Sequence, residues 1–204
     1  MAGVVASLPG LKPLRPATLF EMAVIAITEQ QLSMAAAFHM RARIVRRLGT
    51  PVEELRVFPS PQRIAAVCLE ELQACGLSRR KAEYVKGLAS RIAAGALDLE
   101  ALWHADDAQV REALLGNRGF GDWSVQYILN RGIGRPDCLP SGDVGLRRVV
   151  GDYFAGRRLT AAELEAAMAP FTPYRGLAAY YLAVHWRLRR GPADLSAPAK
   201  QLRG

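Results

Sequence analysis

Apolar residues recur at helical spacing along most of this chain, and residues that begin or end helices divide them into short segments. Thr18 and Thr160 each stand three residues before a glutamate, which is the spacing of a capping box, and Ser60-Pro61 is typical of a helix start. No segment has the sustained alternation of apolar and polar residues that a ladder of strands requires. The pattern therefore predicts an all-α protein of about eight to ten short helices.

Start and stop residues set the expected bounds of these helices. The first long helix is expected to run from Thr18 to a stop at Gly49, with Gln30 and Gln31 inside its otherwise apolar stretch. The other expected helices cover residues 60–76, 78–95, 106–116 and 122–131, then segments beginning near 143 and 160, and finally 174–190. Gly191 is expected to end the last helix, and the tail after Pro192 is expected to fray.

The charge of the chain favours a polyanionic partner. Lys and Arg number 27 against 19 Asp and Glu, which gives a net charge of +8 over 204 residues. Such an excess points first to nucleic acid and second to an anionic membrane, although a solvated basic surface is the plainer alternative. Basic residues cluster in three places, namely 41–47, 79–86 and 147–148.

Two further features concern the cellular setting. The chain has no run of about 20 uncharged apolar residues, so a membrane-spanning helix is not expected. Cys68, Cys75 and Cys138 are scattered and odd in number, which fits neither a disulfide framework nor a zinc or iron–sulfur site. A reducing compartment such as the cytoplasm fits this usage.

The most informative stretch runs from Leu115 to Ser124 and reads LGNRGFGDWS. Gly119 and Gly121 flank a single apolar residue, which predicts a tight turn between two helices. The helix that starts behind the turn has outward-pointing backbone N–H groups, and these can bind a phosphate without reading base sequence.

A Pro/Gly-rich loop that ends in an aspartate follows about twenty residues later, in the sequence LPSGDVGL from Leu139 to Leu146. A helical hairpin followed by such a loop resembles the helix-hairpin-helix, Gly/Pro-rich, Asp (HhH-GPD) superfamily of DNA glycosylases. Three other stretches agree in order. Residues 27–33 are similar to the family's glutamine-containing segment, and residues 58–65 and 173–178 are similar to segments of its 3-methyladenine glycosylase II branch. The resemblance covers roughly residues 17 to 190.

The resemblance implies a single glycosylase domain over residues 1–204, folded as two helical lobes with the active-site cleft between them. One lobe would hold residues of about 50–140, including the hairpin. The N-terminal helix and residues of about 141–190 would form the other. The N-terminal α/β domain that some relatives carry is not expected, because the chain begins close to its glutamine segment.

Asp143 is the expected catalytic residue. A duplex hides the bond between sugar and base, so the nucleotide must first be extruded. Positive charge develops on the sugar as the base leaves, and a carboxylate aimed at it stabilises that charge and can orient or deprotonate water. The alternative role is a helix N-cap, and the two roles are compatible.

Trp123, Tyr127 and Gln30 are the expected lining of the base pocket. Bifunctional members of the family carry a nucleophilic lysine two residues after the second hairpin glycine, where this chain has Trp123. The resemblance therefore implies a monofunctional hydrolase. An electron-rich Trp ring also favours a cationic alkylated purine, and Tyr127 shares the same helix face.

The resemblance also implies contacts with DNA and a monovalent cation. The DNA-contacting set is Gln31, Asn117, Arg118, Gly119, Phe120, Gly121 and Ser124. No cofactor is implied for the chemistry, but Na⁺ or K⁺ would bind the main-chain carbonyls of Leu115, Asn117 and Gly119. The chain departs from the family pattern at Arg118, where Pro is usual, at Asp122, where a basic residue is common, and at Ala183, where a pocket Trp is common.

The predicted function is hydrolytic excision of alkylated purines, of the 3-methyladenine type, from damaged double-stranded DNA. The protein is expected to act as a monomer, without a membrane partner, in the cytoplasm and on the nucleoid if bacterial. Two alternatives stay open, namely a glycosylase of the same fold for deaminated or oxidised bases and a non-catalytic, lesion-sensing DNA-binding protein. Asp143 argues against the latter, because a carboxylate facing DNA weakens phosphate binding.

Overall fold

The computed structural model describes residues 1–190, with no description of the Met34 side chain. The expected stop at Gly191 and the tail after Pro192 lie outside the described residues. The described residues form eleven α-helices, which are α1 Ala2–Ala6, α2 Leu19–Glu29, α3 Met34–Leu48, α4 Pro61–Ala66, α5 Leu69–Ala74, α6 Arg79–Ala93, α7 Asp107–Leu115, α8 Asp122–Tyr127, α9 Val144–Phe154, α10 Ala161–Met168 and α11 Arg175–Arg190. The all-α prediction is confirmed, and none of these helices is long and apolar enough to cross a membrane.

Short irregular turns complete the helical segments. A π-helical turn, Ile128–Ile133, continues α8 and ends at Gly134, whose φ of +89° is left-handed. Two 3₁₀ turns, Glu100–Trp103 and Ala169–Phe171, precede α7 and α11. The expected helix over 122–131 therefore extends two residues further than its sequence signals indicated.

Capping side chains fix where most helices begin. The expected starts are confirmed where the cap accepts a hydrogen bond from a backbone N–H of the first turn, at Thr18, Ser60, Ser78, Asp106, Asp143 and Thr160. Such a bond satisfies one of the N–H groups that a helix start leaves without a partner. Each of these boundaries is set by a hydrogen bond between residues close together in the chain, so the sequence alone predicts them.

The prediction of a single helix from Thr18 to Gly49 is wrong. The chain leaves α2 after Glu29, and Gln31 adopts a left-handed φ of +55° before α3 begins. Ser33 caps α3 by accepting a hydrogen bond from the Ala36 N–H at 3.2 Å. Gln30 and Gln31 therefore lie in a junction between two helices, not within one.

The structure also contains a small β-hairpin that the sequence pattern did not predict. Strand β1, Thr50–Val52, pairs antiparallel with β2, Leu55–Val57, and Glu53 in the turn has a φ of +52°. Every residue of both strands is exposed, so no alternation of burial marks them in the sequence.

The described chain divides into two compact units. Unit A comprises Met1–Arg15 and the described residues from Gly121 onward, and unit B comprises Pro16–Phe120. The core of unit A is apolar and centres on Leu139, Val149, Val150, Leu164, Met168 and Leu182. Fully buried side chains of unit B include Met22, Ile27, Ile44, Ile64, Leu72 and Leu114.

Candidate active site and DNA-binding hairpin

The half-buried Asp143 carboxylate is held by two donors within unit A. One oxygen, Oδ1, accepts a hydrogen bond from the Leu146 N–H at 2.8 Å, which caps α9. The other, Oδ2, accepts a hydrogen bond from the indole Nε1 of Trp123 at 2.9 Å. Because each oxygen has its own donor, the plane of the carboxylate is fixed. Asp143 is therefore an N-cap and also a partner of the predicted pocket aromatic.

The loop before Asp143 is a series of tight turns. The Ser141 N–H bonds the Leu139 carbonyl at 2.8 Å, and the Asp143 N–H bonds the Pro140 carbonyl at 2.9 Å. On the far side, a Cβ at Gly145 would lie 3.2 Å from Asp143 Oδ1. A side chain at Gly145 would therefore crowd the carboxylate, and this chain has none there.

The start of α11 anchors the same loop through a network that the sequence analysis missed. Arg175 donates to both carboxylate oxygens of Asp137, at 3.0 and 2.7 Å, and this hydrogen bonding holds the pKa of Asp137 below its ordinary value. A Cβ at Gly176 would lie 2.1 Å from the Cys138 carbonyl oxygen, so only glycine permits this approach. Residues 136–138 are thereby fixed immediately before the loop that carries Asp143.

Trp123 and Tyr127 form one stacked pair on α8. Their ring centroids are 5.1 Å apart and their planes differ by 13°. A base cannot fit between these rings, because packed atoms need about 3.5 Å on each side of an inserted ring. The two residues therefore form a double aromatic layer beside Asp143. Tyr127 was instead expected to line the base pocket as a second wall.

The aromatic residues near Ala183 have partners elsewhere in unit A. Arg131 lies 4.3 Å from the Tyr180 ring centroid, and the Tyr181 hydroxyl donates to the Leu11 carbonyl at 2.7 Å. The Trp186 indole donates to Asp152 at 2.7 Å. Ala183 itself packs against the core of unit A. These contacts give no replacement for the pocket Trp that relatives commonly have at this position.

Gly119 and Gly121 of the hairpin differ in what they require. Gly119 has a φ of +97°, and a Cβ there would lie 2.5 Å from the ring of Tyr84. Gly121 has an ordinary φ of −135°, caps α8, and has nothing within 4 Å of an ideal Cβ. The fold thus requires glycine at position 119, whereas the open space at Gly121 leaves the backbone there free to approach a ligand.

Two hairpin residues expected to contact DNA point inward. Asn117 is 6% exposed, its amide donates to the Ala113 carbonyl at 2.7 Å, and its Oδ1 accepts from Arg91 at 2.6 Å. Ser124 is only 1% exposed, and this burial argues against the phosphate contact expected of its hydroxyl. Arg118 is exposed and Phe120 is half-buried, so both are accessible.

The junction between α2 and α3 is tied to the hairpin within unit B. Gln30 donates its side-chain amide to the Gly119 carbonyl at 2.7 Å. Lys81 donates to the carbonyls of Thr28 and Gln30, at 2.8 and 2.7 Å, and burial lowers the pKa of its ammonium. Gln31 is left exposed at the tip. Lys81 was expected only as part of a basic cluster, since no local signal marks this bracing role.

The main-chain carbonyls expected to bind a monovalent cation are oxygen ligands of the type that such an ion prefers. The Gly119 carbonyl accepts from Gln30, and the Asn117 carbonyl accepts from the Phe120 N–H at 3.4 Å, but each carbonyl has a second lone pair. Arg91 also donates to the neighbouring Gly116 carbonyl at 3.3 Å, and its positive charge opposes a bound cation. No group of three or more His, Cys, Asp or Glu suited to a metal occurs within residues 1–190.

A surface groove of unit B is separate from these residues. It is lined by Glu21, Phe38, Arg41, Ala42, Val45, Arg46 and Phe58. None of the predicted site residues is among them.

The fold and the site define a class of protein, namely an all-α chain in which a glycine hairpin leads into a helix whose Trp contacts an aspartate at the end of a Pro/Gly-rich loop. The family model described as HhH-GPD superfamily base excision DNA repair protein matches residues 24–173. The chain therefore belongs to the HhH-GPD superfamily.

Individual relatives agree with this assignment. YfjP of Bacillus subtilis (strain 168) is 33% identical over 162 residues, which cover 79% of this chain and 55% of the relative. A second protein of that strain, named DNA-3-methyladenine glycosylase, is 28% identical over 184 residues, which cover 88% of this chain and 60% of the relative. This chain thus spans little more than half the length of these curated relatives.

A solved structure agrees as well. The 3-methyladenine DNA-glycosylase from Archaeoglobus fulgidus superposes with a TM-score of 0.82 at 29% identity, over 92% of this chain and 65% of that one.

Proposed function

We propose that this protein is a monofunctional DNA glycosylase that excises alkylated purines, of the 3-methyladenine type, from double-stranded DNA. The observation that carries the proposal is the Asp143 carboxylate, oriented at 2.9 Å by the indole of Trp123, which in turn stacks on Tyr127. This arrangement combines a negative charge with an electron-rich ring system. The names of the relatives support the same substrate class.

The chemistry follows from the charges that develop in the reaction. An extruded alkylated purine carries positive charge, and a stacked indole attracts it through the ring quadrupole. As the bond between sugar and base lengthens, positive charge moves to the sugar, where the fixed carboxylate of Asp143 stabilises it. The cationic base leaves readily, so the site needs little acid catalysis, and water completes the hydrolysis.

The hairpin supplies the grip on the DNA backbone in this proposal. The open approach at Gly121 and the exposed Arg118 support binding to phosphate without sequence preference. A Na⁺ or K⁺ ion on the hairpin carbonyls would add positive charge near the same phosphate. The protein would act where DNA is held, in the cytoplasm and on the nucleoid if bacterial, and its three scattered cysteines, Cys68, Cys75 and Cys138, suit a reducing compartment.

The strand left after base removal tests this proposal. Incubation with alkylated duplex DNA is expected to leave intact strands that break only after heating in alkali, because no lysine amine stands at position 123. Borohydride is expected to trap no adduct between protein and DNA. Abasic sites are counted by gel electrophoresis before and after alkali. Strand breaks without alkali, or a trapped adduct, would contradict a monofunctional mechanism, and an absence of abasic sites would contradict the function itself.

A further inference from the structure

Helix α6 carries four basic residues near its start, and the structure separates them by what they contact. Lys81 binds the carbonyls of the α2–α3 junction, and Lys86 binds the carbonyls of Ala65 and Val67 at the end of α4. Arg79 pairs with Glu83 at 3.1 Å on the exposed face. Three of the four thus bind carbonyl or carboxylate oxygens of the protein, whereas Arg80 contacts the uncharged side chain of Tyr84.

Arg80 is held against the same tyrosine that packs beneath the hairpin. Its Nε donates to the Tyr84 hydroxyl at 2.7 Å, and its guanidinium carbon lies 5.5 Å from the centroid of that ring. The Cβ end of Tyr84 meets Gly119, where an ideal Cβ would be 2.5 Å from the ring and 3.1 Å from Tyr84 Cβ. The tyrosine therefore spans from the hairpin turn to the Arg80 guanidinium, all within unit B.

We propose that Arg80 is a DNA-backbone contact of this protein, whose guanidinium binds a phosphate adjacent to the one held by the hairpin turn. The inference rests on the proposed function, since it requires duplex DNA on the hairpin. Arg80 lies outside the hairpin motif, in the basic cluster of residues 79–86.

Three physical features support this role. Arg80 is exposed, and no acceptor among the described residues contacts its two terminal nitrogens, which present a planar fork suited to phosphate. The hydroxyl of Tyr84 uses only Nε, so it orients the fork without occupying it. A guanidinium that is already ordered loses less side-chain entropy on binding than a free one.

The test measures the salt dependence of binding to a duplex that contains an uncleavable abasic-site analogue. Fluorescence anisotropy gives Kd between low and moderate salt for the wild type and for Arg80→Gln. Because each neutralised phosphate contributes a slope of about 0.9 in log affinity against log salt, Arg80→Gln is expected to lower the slope by about 1. Its affinity at low salt is expected to fall several-fold.

Matched variants separate a specific contact from general charge. Arg79→Gln removes the same charge one residue away and is expected to keep the wild-type slope. Arg80→Lys is expected to keep the slope, because a positive charge remains. Tyr84→Phe retains the ring beneath Gly119 but loses the hydroxyl that orients Arg80, so its affinity is expected to lie between the wild type and Arg80→Gln. Thermal unfolding of each variant is measured to exclude loss of folded protein.

The outcomes distinguish this inference from the proposed function. Wild-type protein that shows no salt-dependent binding would contradict the proposed function. Steep wild-type binding with an unchanged slope for Arg80→Gln would overturn the role of Arg80 and leave the proposed function standing. Equal losses for Arg79→Gln and Arg80→Gln would also overturn it, because only net charge would then matter.

Discussion

Replacing Asp143 by Asn is expected to lower the rate of base excision by about a hundredfold or more. Asparagine retains the size of the side chain and can still accept the hydrogen bond from the Leu146 N–H, so α9 should remain capped. The variant lacks the negative charge that opposes the developing cation on the sugar, and its amide NH2 cannot accept the hydrogen bond that the Trp123 indole donates to Asp143. Single-turnover measurement on a duplex with one alkylated purine reports the chemical step.

Two controls accompany this variant. Asp106→Asn makes the same chemical change at another N-cap, where Asp106 accepts from the Gln109 N–H at 2.8 Å, and it is expected to leave the excision rate unchanged. Duplex binding by Asp143→Asn should be retained or tightened, because a negative charge near phosphates is removed. Near-normal turnover by Asp143→Asn would remove this carboxylate from the mechanism.

Alanine substitutions of the two hairpin glycines are expected to differ in kind. Gly119→Ala forces a side chain into a left-handed φ and against the Tyr84 ring, which should destabilise the fold by on the order of 2 kcal/mol and weaken DNA binding. Gly121→Ala meets no neighbour and should cost at most about 1 kcal/mol, the price of a poorer N-cap. Its methyl group would nevertheless stand in the open space through which the proposed function brings the DNA backbone close to the hairpin.

The free energy of unfolding, from chemical denaturation, and the affinity for duplex DNA are measured for both variants. The expected pattern is lost stability for Gly119→Ala and lost affinity at near-normal stability for Gly121→Ala. Equal stability of the two variants would contradict the left-handed turn at Gly119. Wild-type affinity of Gly121→Ala would mean that the backbone of DNA does not approach this position.

The parts of the fold that the sequence predicts are those set by neighbouring residues. The N-caps at Ser60, Asp106 and Thr160 could be predicted because their hydrogen bonds reach only three residues along the chain. The break at Gln31 could not, because apolar residues continue on both sides and Ser33 is a weak signal within them. The β-hairpin is too short and too exposed to leave a periodic pattern.

The candidate site could likewise be predicted only in part from the sequence. Motif spacing singled out Asp143 and Trp123, but the hydrogen bond between them joins residues 20 apart and depends on the packing of unit A. The different contacts of Lys81 and Arg80 are likewise not marked in the sequence, since Lys81 binds the distant Gln30 carbonyl whereas Arg80 binds Tyr84 on its own helix. The stack of Trp123 on Tyr127 follows from helical spacing, yet its closeness, which excludes a base, does not.

The bases released from defined duplexes test the central claim most directly. Each duplex carries one modified base, either a methylated purine, uracil or 8-oxoguanine, and chromatography identifies what the protein sets free. The double aromatic layer beside Asp143 predicts release of methylated purines, 3-methyladenine above all, with the other bases left in place. Release dominated by uracil or 8-oxoguanine, with methylated purines retained, would contradict the account.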